Sequence, residues 1–387
     1  MQLAKAAYYI HWPYCEVKCP YCDFNSHRIK DSVNSENYYI QALLREIEYY
    51  ANLYGCRELT SIYFGGGTPS LLSQESLRHI LKQIKSYYKV AEDAEITIEV
   101  NPSSYIKEKF LAYKEIGINR ISIGVQSFSQ EGLDMLGRIH SVNQAEEAIS
   151  CAGEIFNNYS FDLIYARDGQ SLAEWKAELQ YALSFNSPHM SLYELTIEPE
   201  TKFATLVKNG KLKTVSDDVA TEFYNITQQL MNEAQMPAYE VSNHAKAGYK
   251  SRHNSSYWAY QEYIGVGPGA HSRIWTLGTS LVTAIMAEKQ PDMWQRRILS
   301  EGHAIVQQNH MSQLEQAAEL LLTSMRTREG LDINRFRLLS GRNLNPDVLN
   351  ELMEYNLVEL GKNLQPTEKG LLFVDYIIKR LSEDTLL

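Results

Sequence analysis

Short apolar runs alternate with amphipathic stretches over the first 240 residues. The runs are rich in β-branched and aromatic residues and predict strands: AAYYIHW, LTSIYFGGG, EITIEVNP, RISIGVQSF, SFDLIYA, HMSLYEL and AYEVSN. The stretches between them, such as ENYYIQALLREIEYYANL and QESLRHILKQIKSYYKV, have apolar residues at helical spacing. Each run is nearly continuously apolar, as in strands covered on both faces. The pattern therefore predicts an α/β fold with a parallel sheet, open or closed into a barrel.

The regular alternation is lost between about residues 240 and 300. The stretch SRHNSSYWAYQEYIGVGPGAHSR is rich in glycine, aromatic residues and histidine, which indicates a functional loop. After residue 310, two helical segments precede LVELGKNLQPTEKG, which predicts a hairpin, and a last helix. We expect a main domain over 1–240, a connecting segment over 241–305, and a small helical, winged-helix-like domain over 306–387.

The composition and net charge of the chain argue against some classes of protein. The 387 residues are 44% apolar and 22% charged, as in globular proteins, and carry a net charge of −10. An acidic chain lacks the basic face that nonspecific nucleic-acid binding needs. Neither a signal peptide nor an apolar run long enough to span a membrane is apparent, so we expect a cytosolic protein. In that compartment clustered cysteines indicate a metal site or catalysis rather than disulfides.

Three of the five cysteines lie within eight residues, directly after the first predicted strand. They are Cys15, Cys19 and Cys22, spaced C-x3-C-x2-C. A structural zinc ion needs four ligands, and His11 or His27 would complete a Cys3His set. A [4Fe-4S] cluster has four irons, so three thiolates leave one iron open to another ligand. The residue types alone leave both alternatives open.

Further polar and glycine residues follow the other predicted strands. Gly65, Gly66 and Gly67 end the second strand, Glu99 ends the third and Gln126 ends the fourth. Ligand sites of parallel α/β sheets lie at the carboxyl ends of the strands. Glycine also permits a close approach of backbone to a ligand. These residues are therefore expected to share one site with the cysteines.

The C-x3-C-x2-C motif after a first strand resembles that of the radical SAM superfamily. The resemblance implies a partial (β/α)6 barrel, a [4Fe-4S] cluster on Cys15, Cys19 and Cys22, and S-adenosylmethionine (SAM) bound to the open iron. It also implies the residues that contact SAM: Tyr9, Tyr21, Gly66, Gly67, Thr68, Glu99, Gln126, Arg138 and Asp162.

A narrower resemblance carries over nearly the whole chain. The stretches HWPYCEVKCPYCDFNSH, FGGGTPS, GVQSF, LGRIHS and HNSSYW resemble the oxygen-independent coproporphyrinogen III oxidase group. That group contains a dehydrogenase and a heme chaperone. The dehydrogenase has a further cysteine where this chain has Phe24, and a longer extension before its motif. Both differences favour the chaperone; a dehydrogenase or another radical SAM enzyme acting on a tetrapyrrole is the alternative.

The stretch HNSSYW matches the HNxxYW pattern of the chaperone branch. The match implies a heme-binding loop with His253, Asn254, Tyr257 and Trp258 as contacts. An imidazole is a suitable axial ligand for heme iron, and aromatic rings pack against a flat macrocycle. The alternative is a loop histidine with only local hydrogen bonds. The resemblance further implies heme delivery to respiratory enzymes, with the chain peripheral at the inner membrane.

One loop departs from the pattern of the resembling proteins. They continue the fifth strand as DLIYGLPGQ, whereas Arg167 and Asp168 here replace the leucine and proline. The change alters the rigidity and charge of a loop close to Asp162. It leaves Asp162 itself in place.

Overall fold

The computed structural model describes residues 3–29 and 32–383. Its strands are β1 (Lys5–Trp12), β2 (Tyr14–Cys15), β3 (His27–Arg28), β4 (Glu58–Gly66), β5 (Lys89–Val100), β6 (Arg120–Gln126), β7 (Asn158–Tyr165), β8 (His189–Glu194), β9 (Asn243–Ala245), β10 (Tyr263–Val266), β11 (His271–Trp275), β12 (Val282–Ala287), β13 (Ile305–Met311), β14 (Val358–Leu360) and β15 (Leu364–Pro366).

Its helices are α1 (Ser32–Tyr54), α2 (Gln74–Tyr87), α3 (Lys107–Ile116), α4 (Gln130–Met135), α5 (Val142–Ile155), α6 (Leu172–Ser184), α7 (Lys202–Lys208), α8 (Asp217–Glu233), α9 (Arg252–Trp258), α10 (Pro291–Glu301), α11 (Gln313–Ser324), α12 (Ile333–Ser340), α13 (Pro346–Glu354), α14 (Glu368–Leu372) and α15 (Val374–Glu383). Short 3-10 helices lie at Pro69–Leu71 and Pro102–Ser104.

Six parallel strands form the centre of the main sheet. They are adjacent in the order β1-β4-β5-β6-β7-β8, and every neighbouring pair is parallel. Helices α1, α2, α3, α5 and α6 connect them in the chain. Apolar residues of these strands and helices share one buried core. The predicted α/β class and the partial (β/α)6 barrel are confirmed.

The sheet extends beyond this barrel on both sides. Strand β10 pairs in parallel with β1, and β11, β12 and β13 follow as antiparallel neighbours. On the other side β9 pairs antiparallel with β8. The expectation of a functional loop between about residues 240 and 300 is therefore wrong, because this part of the chain contains α9, α10 and four strands. These strands have only three to six residues each, too short for a clear periodic signal.

The barrel strands alternate in polarity more than the sequence analysis assumed. Along β6 the residues that face the interior are Arg120, Ser122, Gly124 and Gln126. The residues between them are buried apolar side chains of the core: Ile121, Ile123 and Val125. Because successive side chains of a strand point to opposite faces, one face packs under helices and the other lines a polar cavity. The interpretation of strands apolar on both faces is thus wrong for β6.

The C-terminal part has a core of its own. Helices α11, α12 and α13 precede the hairpin of β14 and β15, and α14 and α15 follow. Leu320, Phe336, Leu352 and Ile377 are buried together in this core. The order of helices and hairpin confirms the winged-helix-like prediction. Among the described residues, no helix is long and apolar enough to cross a membrane.

Candidate functional site

A cavity of about 540 Å³ lies at the carboxyl ends of the barrel strands. Most of the residues that the sequence analysis assigned to the cluster and to SAM line it: Cys15, Cys19, Tyr21, Cys22, Gly66, Gly67, Thr68, Glu99, Gln126, Arg138 and Asp162. They come from six separate segments of the chain. The fold therefore gathers them into one site, as strand-end positions in a parallel sheet predict.

The side chain of Lys18 stabilises the conformation of the cysteine loop. The ammonium group of Lys18 donates to the carbonyls of Phe24, at 3.2 Å, and Ser26, at 3.1 Å. Cys15 is buried, and burial, followed by the neighbouring thiols, raises the pKa of its thiol to about 11. The Cys15 thiol without a bound metal is therefore protonated at neutral pH, and binding iron there requires release of its proton.

The zinc alternative required a histidine beside the thiols, and the two candidates do not supply one. The ring nitrogens of His11 are hydrogen-bonded to the Tyr9 hydroxyl at 3.0 Å and to the Asn25 carbonyl at 2.9 Å. Neither His11 nor His27 lines the cavity that contains the cysteines. Residues 3–29 and 32–383 contain no group of three or more potential ligands close enough to hold a single metal ion. The donor set fits thiols distributed around a multi-iron cluster better than a Cys3His ion site.

The glycines at the end of β4 allow two chain segments to pack closely. Gly66 has a φ of +115°, and a Cβ there would lie 2.7 Å from the Trp12 carbonyl oxygen. A Cβ on Gly67 would overlap the carbonyl oxygen of Tyr14. Both positions need glycine for the packing of β4 against the segment after β1.

Two half-buried carboxyl groups, those of Glu99 and Asp162, line the cavity. Glu99 accepts hydrogen bonds from the Tyr63 hydroxyl at 2.8 Å and from the backbone N–H of Gly66 at 3.1 Å. Burial raises the pKa of Glu99 to about 7 and that of Asp162 to about 6. Each group changes charge close to neutral pH, which is typical of ligand-binding and catalytic carboxyls.

Several buried polar atoms around the cavity lack a protein partner. Arg138 donates to the Gly124 carbonyl at 2.8 Å and contacts the Cys19 sulfur at 3.5 Å, but its Nε is unpaired within the described part of the chain. His189 Nδ1 also has no hydrogen-bond partner there, and Arg120 Nε has only the Glu95 carboxylate, at 3.9 Å. Buried polar groups are normally hydrogen-bonded, so these atoms are exceptions among the residues that line the cavity.

Some lining residues escaped the sequence analysis. Tyr63, Arg120, His189 and Ser191 line the cavity from strands that were interpreted as uniformly apolar. The sequence signal for such cavity-lining residues is a polar side chain at every second position of a strand, as at the start of β8. That signal is weak in strands of six or seven residues.

The departure at Arg167 forms a buried ion pair. Its guanidinium donates to Glu178 Oε2 at 2.7 Å and to the Ile164 carbonyl at 2.6 Å. Glu178 Oε1 also accepts hydrogen bonds from the Ser127 hydroxyl at 2.6 Å and the Phe128 N–H at 2.7 Å. The pair therefore connects the segment after β7 to the segment after β6.

The ion pair of Arg167 and Glu178 lies next to two strained backbone positions beside the cavity. Gln126, immediately before Ser127, has a φ of +72°, and Ala166, immediately before Arg167, has a φ of +57°. Non-glycine residues rarely adopt such angles, and they persist where surrounding contacts hold them. The hydrogen bonds to Glu178 supply those contacts for both strand ends.

The HNSSYW segment is a helix and not a loop. It forms most of α9, and the Ser251 side chain caps it by accepting from the Asn254 N–H at 3.3 Å. The expectation of a loop is wrong because this N-cap supports a helix of seven residues that the glycine-rich sequence after it obscured.

His253 is buried in this helix, with only 2% of its surface exposed. Its Nδ1 is hydrogen-bonded to the Ser61 hydroxyl at 2.9 Å and its Nε2 to the Tyr257 hydroxyl at 2.7 Å. Burial lowers the pKa of the imidazole to about 3, so the ring is neutral. Both nitrogens that would bind iron are occupied by protein partners.

The four residues expected to bind heme do not lie around one space. Asn254 lines the large cavity, whereas Tyr257 lines a second, smaller cavity beside it. Trp258 lines neither of these two cavities. Tyr9, expected to contact SAM, also lines the second cavity and not the first. The heme and SAM contacts expected of these residues stay predictions.

Comparison with known proteins identifies the family. The Radical SAM superfamily matches residues 9–182, and the HemN C-terminal domain matches residues 311–373. The heme chaperone HemW of Escherichia coli (strain K12) is 34% identical over 385 residues, covering 98% of both chains. This chain belongs to the HemW family. The HemW of Bacillus subtilis (strain 168) is 35% identical over 355 residues, covering 90% of this chain and 92% of that one.

A solved structure supports the fold of this HemW family member. The coproporphyrinogen III oxidase (HemN) from Escherichia coli, a radical SAM enzyme, aligns with a TM-score of 0.83 and 20% sequence identity. The alignment covers 100% of this chain and 91% of that one. The likeness extends through the barrel, the additional strands and the C-terminal helices. At this identity it establishes the shared fold alone.

Proposed function

We propose that this chain is a heme chaperone that binds heme, holds a [4Fe-4S] cluster and SAM, and delivers heme to respiratory enzymes at the membrane. The observation that carries the proposal is one cavity that gathers the three motif cysteines with Glu99, Arg138 and Asp162 at the ends of the barrel strands. The match to proteins named heme chaperones over 98% of both chains supports the choice of function. In this proposal the chain is cytosolic and acts peripherally at the inner membrane.

Cys15, Cys19 and Cys22 would hold the cluster. When bound, a cluster with three thiolate ligands supplies an open iron for the amino and carboxylate groups of SAM and an electron for cleavage of its sulfonium. The Arg138 guanidinium, 3.5 Å from the Cys19 sulfur, would stabilise negative charge on that thiolate.

The rest of the large cavity would bind the organic part of SAM. The backbone of Gly66, Gly67 and Thr68 would form its wall, and the Glu99 carboxylate would accept hydrogen bonds from ribose hydroxyls. The remaining side chains assigned to SAM would complete the contacts from the other strand ends: Tyr21, Gln126, Arg138 and Asp162. Tyr9 would act indirectly, through its ring contact with Tyr63.

The position of Phe24 favours a carrier over a dehydrogenase. Its side chain is 58% exposed and lines both the large and the second cavity. The resembling dehydrogenase has a thiol at this position, whereas a phenyl ring supplies an apolar surface and no redox or proton-transfer chemistry. An exposed ring at the edge of two cavities suits reversible contact with a flat apolar ligand.

The HNSSYW helix would contribute to heme binding through its exposed face. Tyr257 reaches the second cavity, and the hydrogen bond with His253 holds its hydroxyl. Asn254, from the same helix, lines the neighbouring large cavity. Direct ligation of iron by His253 would require loss of its hydrogen bond with Ser61 or with Tyr257.

Parallel titrations of the anaerobically purified, cluster-reconstituted protein with heme and coproporphyrinogen III test this function. We expect stoichiometric heme binding with a shifted Soret band, and no SAM-dependent consumption of coproporphyrinogen III. Conversion of coproporphyrinogen III to a decarboxylated product would replace the chaperone with the alternative enzyme.

A further inference from the structure

The second cavity has the walls of a site for a flat aromatic ligand. Its volume is about 370 Å³, and it is lined by four aromatic residues, Tyr9, Phe24, Tyr257 and Tyr263, by Gly66, Gly269 and Ala270, and by the polar residues His11, Asn25, Glu99 and His271. The rings of Tyr257 and Tyr263 meet edge to face, with centroids 4.6 Å apart and an interplanar angle of 87°. Aromatic walls beside small residues allow a macrocycle to slide in with one face against protein.

Two histidines, His11 and His271, line this cavity, and both ring nitrogens of His11 are hydrogen-bonded to protein. His271 begins β11, directly after the turn of Gly269 and Ala270, and it is exposed and lines the cavity. In the part of the chain that the structure describes, neither of its ring nitrogens has a hydrogen-bond partner. An axial ligand needs an available nitrogen lone pair facing the space that the iron will occupy. Among the described residues, His271 lines the cavity with both ring nitrogens free of hydrogen bonds, whereas both nitrogens of the buried His253 are occupied.

We propose that the second cavity is the heme site and that His271 supplies the axial ligand to the heme iron. The inference rests on the proposed function, since heme is the ligand that the function requires. It assigns iron binding to a residue outside the HNSSYW helix and gives Tyr257, from that helix, the role of a wall. The bond formed is a coordination bond from an imidazole nitrogen, with no change in oxidation state.

Charges around His271 suit the ligand. Partial burial, followed by the charges of Arg273 and Lys289, lowers the pKa of the His271 imidazole, so the ring is neutral and able to bind iron at neutral pH. Lys289 is exposed and lies beside Gly269 of the cavity. An exposed ammonium there would pair with a heme propionate at the cavity edge.

The turn before His271 is fixed by buried contacts. The carboxyl group of Glu46 accepts the Gly267 N–H at 2.7 Å. The Asn25 side-chain amide donates to the carbonyls of Pro268 and Lys289, both at 2.9 Å. Asn25 belongs to the segment that follows the cysteine loop, so the loop and the turn form one continuous wall. Heme at this position would lie directly beside the SAM cavity.

Hemin titration of the full, cluster-reconstituted chain, followed by Soret absorption and electron paramagnetic resonance, tests the assignment. His271→Ala should lower heme affinity by at least about tenfold and remove the signature of imidazole ligation. Added imidazole should restore that signature. His271→Met should bind heme with an altered axial-ligand spectrum. The exposed His79, on α2, provides the control: His79→Ala should match the unchanged protein.

Two other outcomes would contradict different claims, the assignment of His271 and the proposed heme function. Unchanged spectra and affinity in His271→Ala and His271→Met, with loss of imidazole ligation in His253→Ala, would overturn the inference and leave the proposed function standing. A chain that binds no heme at all would overturn the proposed function and the inference with it. Melting curves and SAM affinity, expected to be unchanged in the His271 variants, exclude a general loss of structure.

Discussion

The Tyr63 hydroxyl donates a hydrogen bond of 2.8 Å to the Glu99 carboxyl group. The ring of Tyr63 also stacks on His253, with centroids 4.8 Å apart and an interplanar angle of 21°. One side chain thus contacts the proposed ribose-binding carboxyl and the histidine of the HNSSYW helix. His253 is in turn hydrogen-bonded to Tyr257, which lines the second cavity. This chain of contacts links the two proposed ligand sites and gives a physical route for one ligand to affect the other.

Tyr63→Phe should weaken SAM binding while preserving the stacked ring. The substitution removes the donor that orients Glu99, and a hydrogen bond to a charged group contributes about 1.5–3 kcal/mol, so SAM affinity should fall by roughly ten- to a hundredfold. Equilibrium dialysis with radiolabelled SAM measures this. Heme affinity and melting temperature should stay close to those of the unchanged chain. Unchanged SAM affinity would mean that Glu99 does not contact the ligand.

SAM affinity should increase as pH rises through about 7. Burial raises the pKa of Glu99 to about 7, and only its ionised form accepts both ribose hydroxyl hydrogen bonds without first losing a proton. Below that pKa, binding must release the proton, so affinity should fall by at most about tenfold per pH unit. Asp162, with a pKa of about 6, would add a second step at lower pH if it also binds as an anion.

Glu99→Gln is the matched control for this pH dependence. It should bind SAM weakly at every pH between 6 and 8, without the step near neutral pH. Isothermal titration calorimetry in two buffers of different ionisation enthalpy would also count the released proton. A pH profile in the glutamine variant as steep as in the unchanged chain would assign the titration to another group.

Replacement of any motif cysteine by serine should abolish the iron–sulfur cluster. Three thiolates bind three irons of the cubane, and serine at Cys15, Cys19 or Cys22 removes one of them. Iron and sulfide analysis after anaerobic reconstitution should give about four of each per chain for the unchanged protein and little for the variants. The exposed Cys56 lies outside the motif, so Cys56→Ser should retain full content. Bound zinc without sulfide in the unchanged chain would contradict the cluster.

The buried pair of Arg167 and Glu178 should matter more for stability than a surface pair. Arg167→Ala leaves a buried carboxylate without its cation, which costs about 3–5 kcal/mol in the free energy of unfolding. Arg252→Ala, whose guanidinium pairs with Asp93 at the surface, should cost less than about 1 kcal/mol. Urea denaturation measures both. Equal effects of the two substitutions would mean that Glu178 is adequately solvated or paired elsewhere.

The barrel could be predicted from the sequence because each of its strands and helices forms a pattern within a short stretch of the chain. Strand β1, which precedes Cys15, and strands β4 and β5, which end at or next to Gly66 and Glu99, each form a distinct apolar run. Their parallel order brings these strand ends together. The cysteine spacing likewise carries its chemistry within eight residues. For these features, periodicity and motif spacing were sufficient to predict both the fold and most of the large cavity.

The remaining features depend on contacts between distant segments. Helix α9 buries His253 against Ser61, which is 192 residues earlier in the chain, and no local pattern reports that contact. His271 carried no motif and became a candidate only when the fold put it beside Tyr257. The sequence indicated that Arg167 changes the rigidity and charge of a loop. In the structure Arg167 forms a buried ion pair with Glu178 of the next helix, α6. Pairings of this kind are decided by tertiary structure.

Heme transfer is the measurement that tests the chaperone most directly. The chain, loaded with radiolabelled heme and carrying its cluster, would be incubated with membrane vesicles from heme-depleted cells, and the vesicles would then be separated and assayed. The account predicts that the label moves into respiratory enzyme complexes of the membrane, that their activity returns, and that the chain is recovered heme-free. Retention of the label on the chain, or its passage into lipid without recovery of enzyme activity, would contradict a chaperone function.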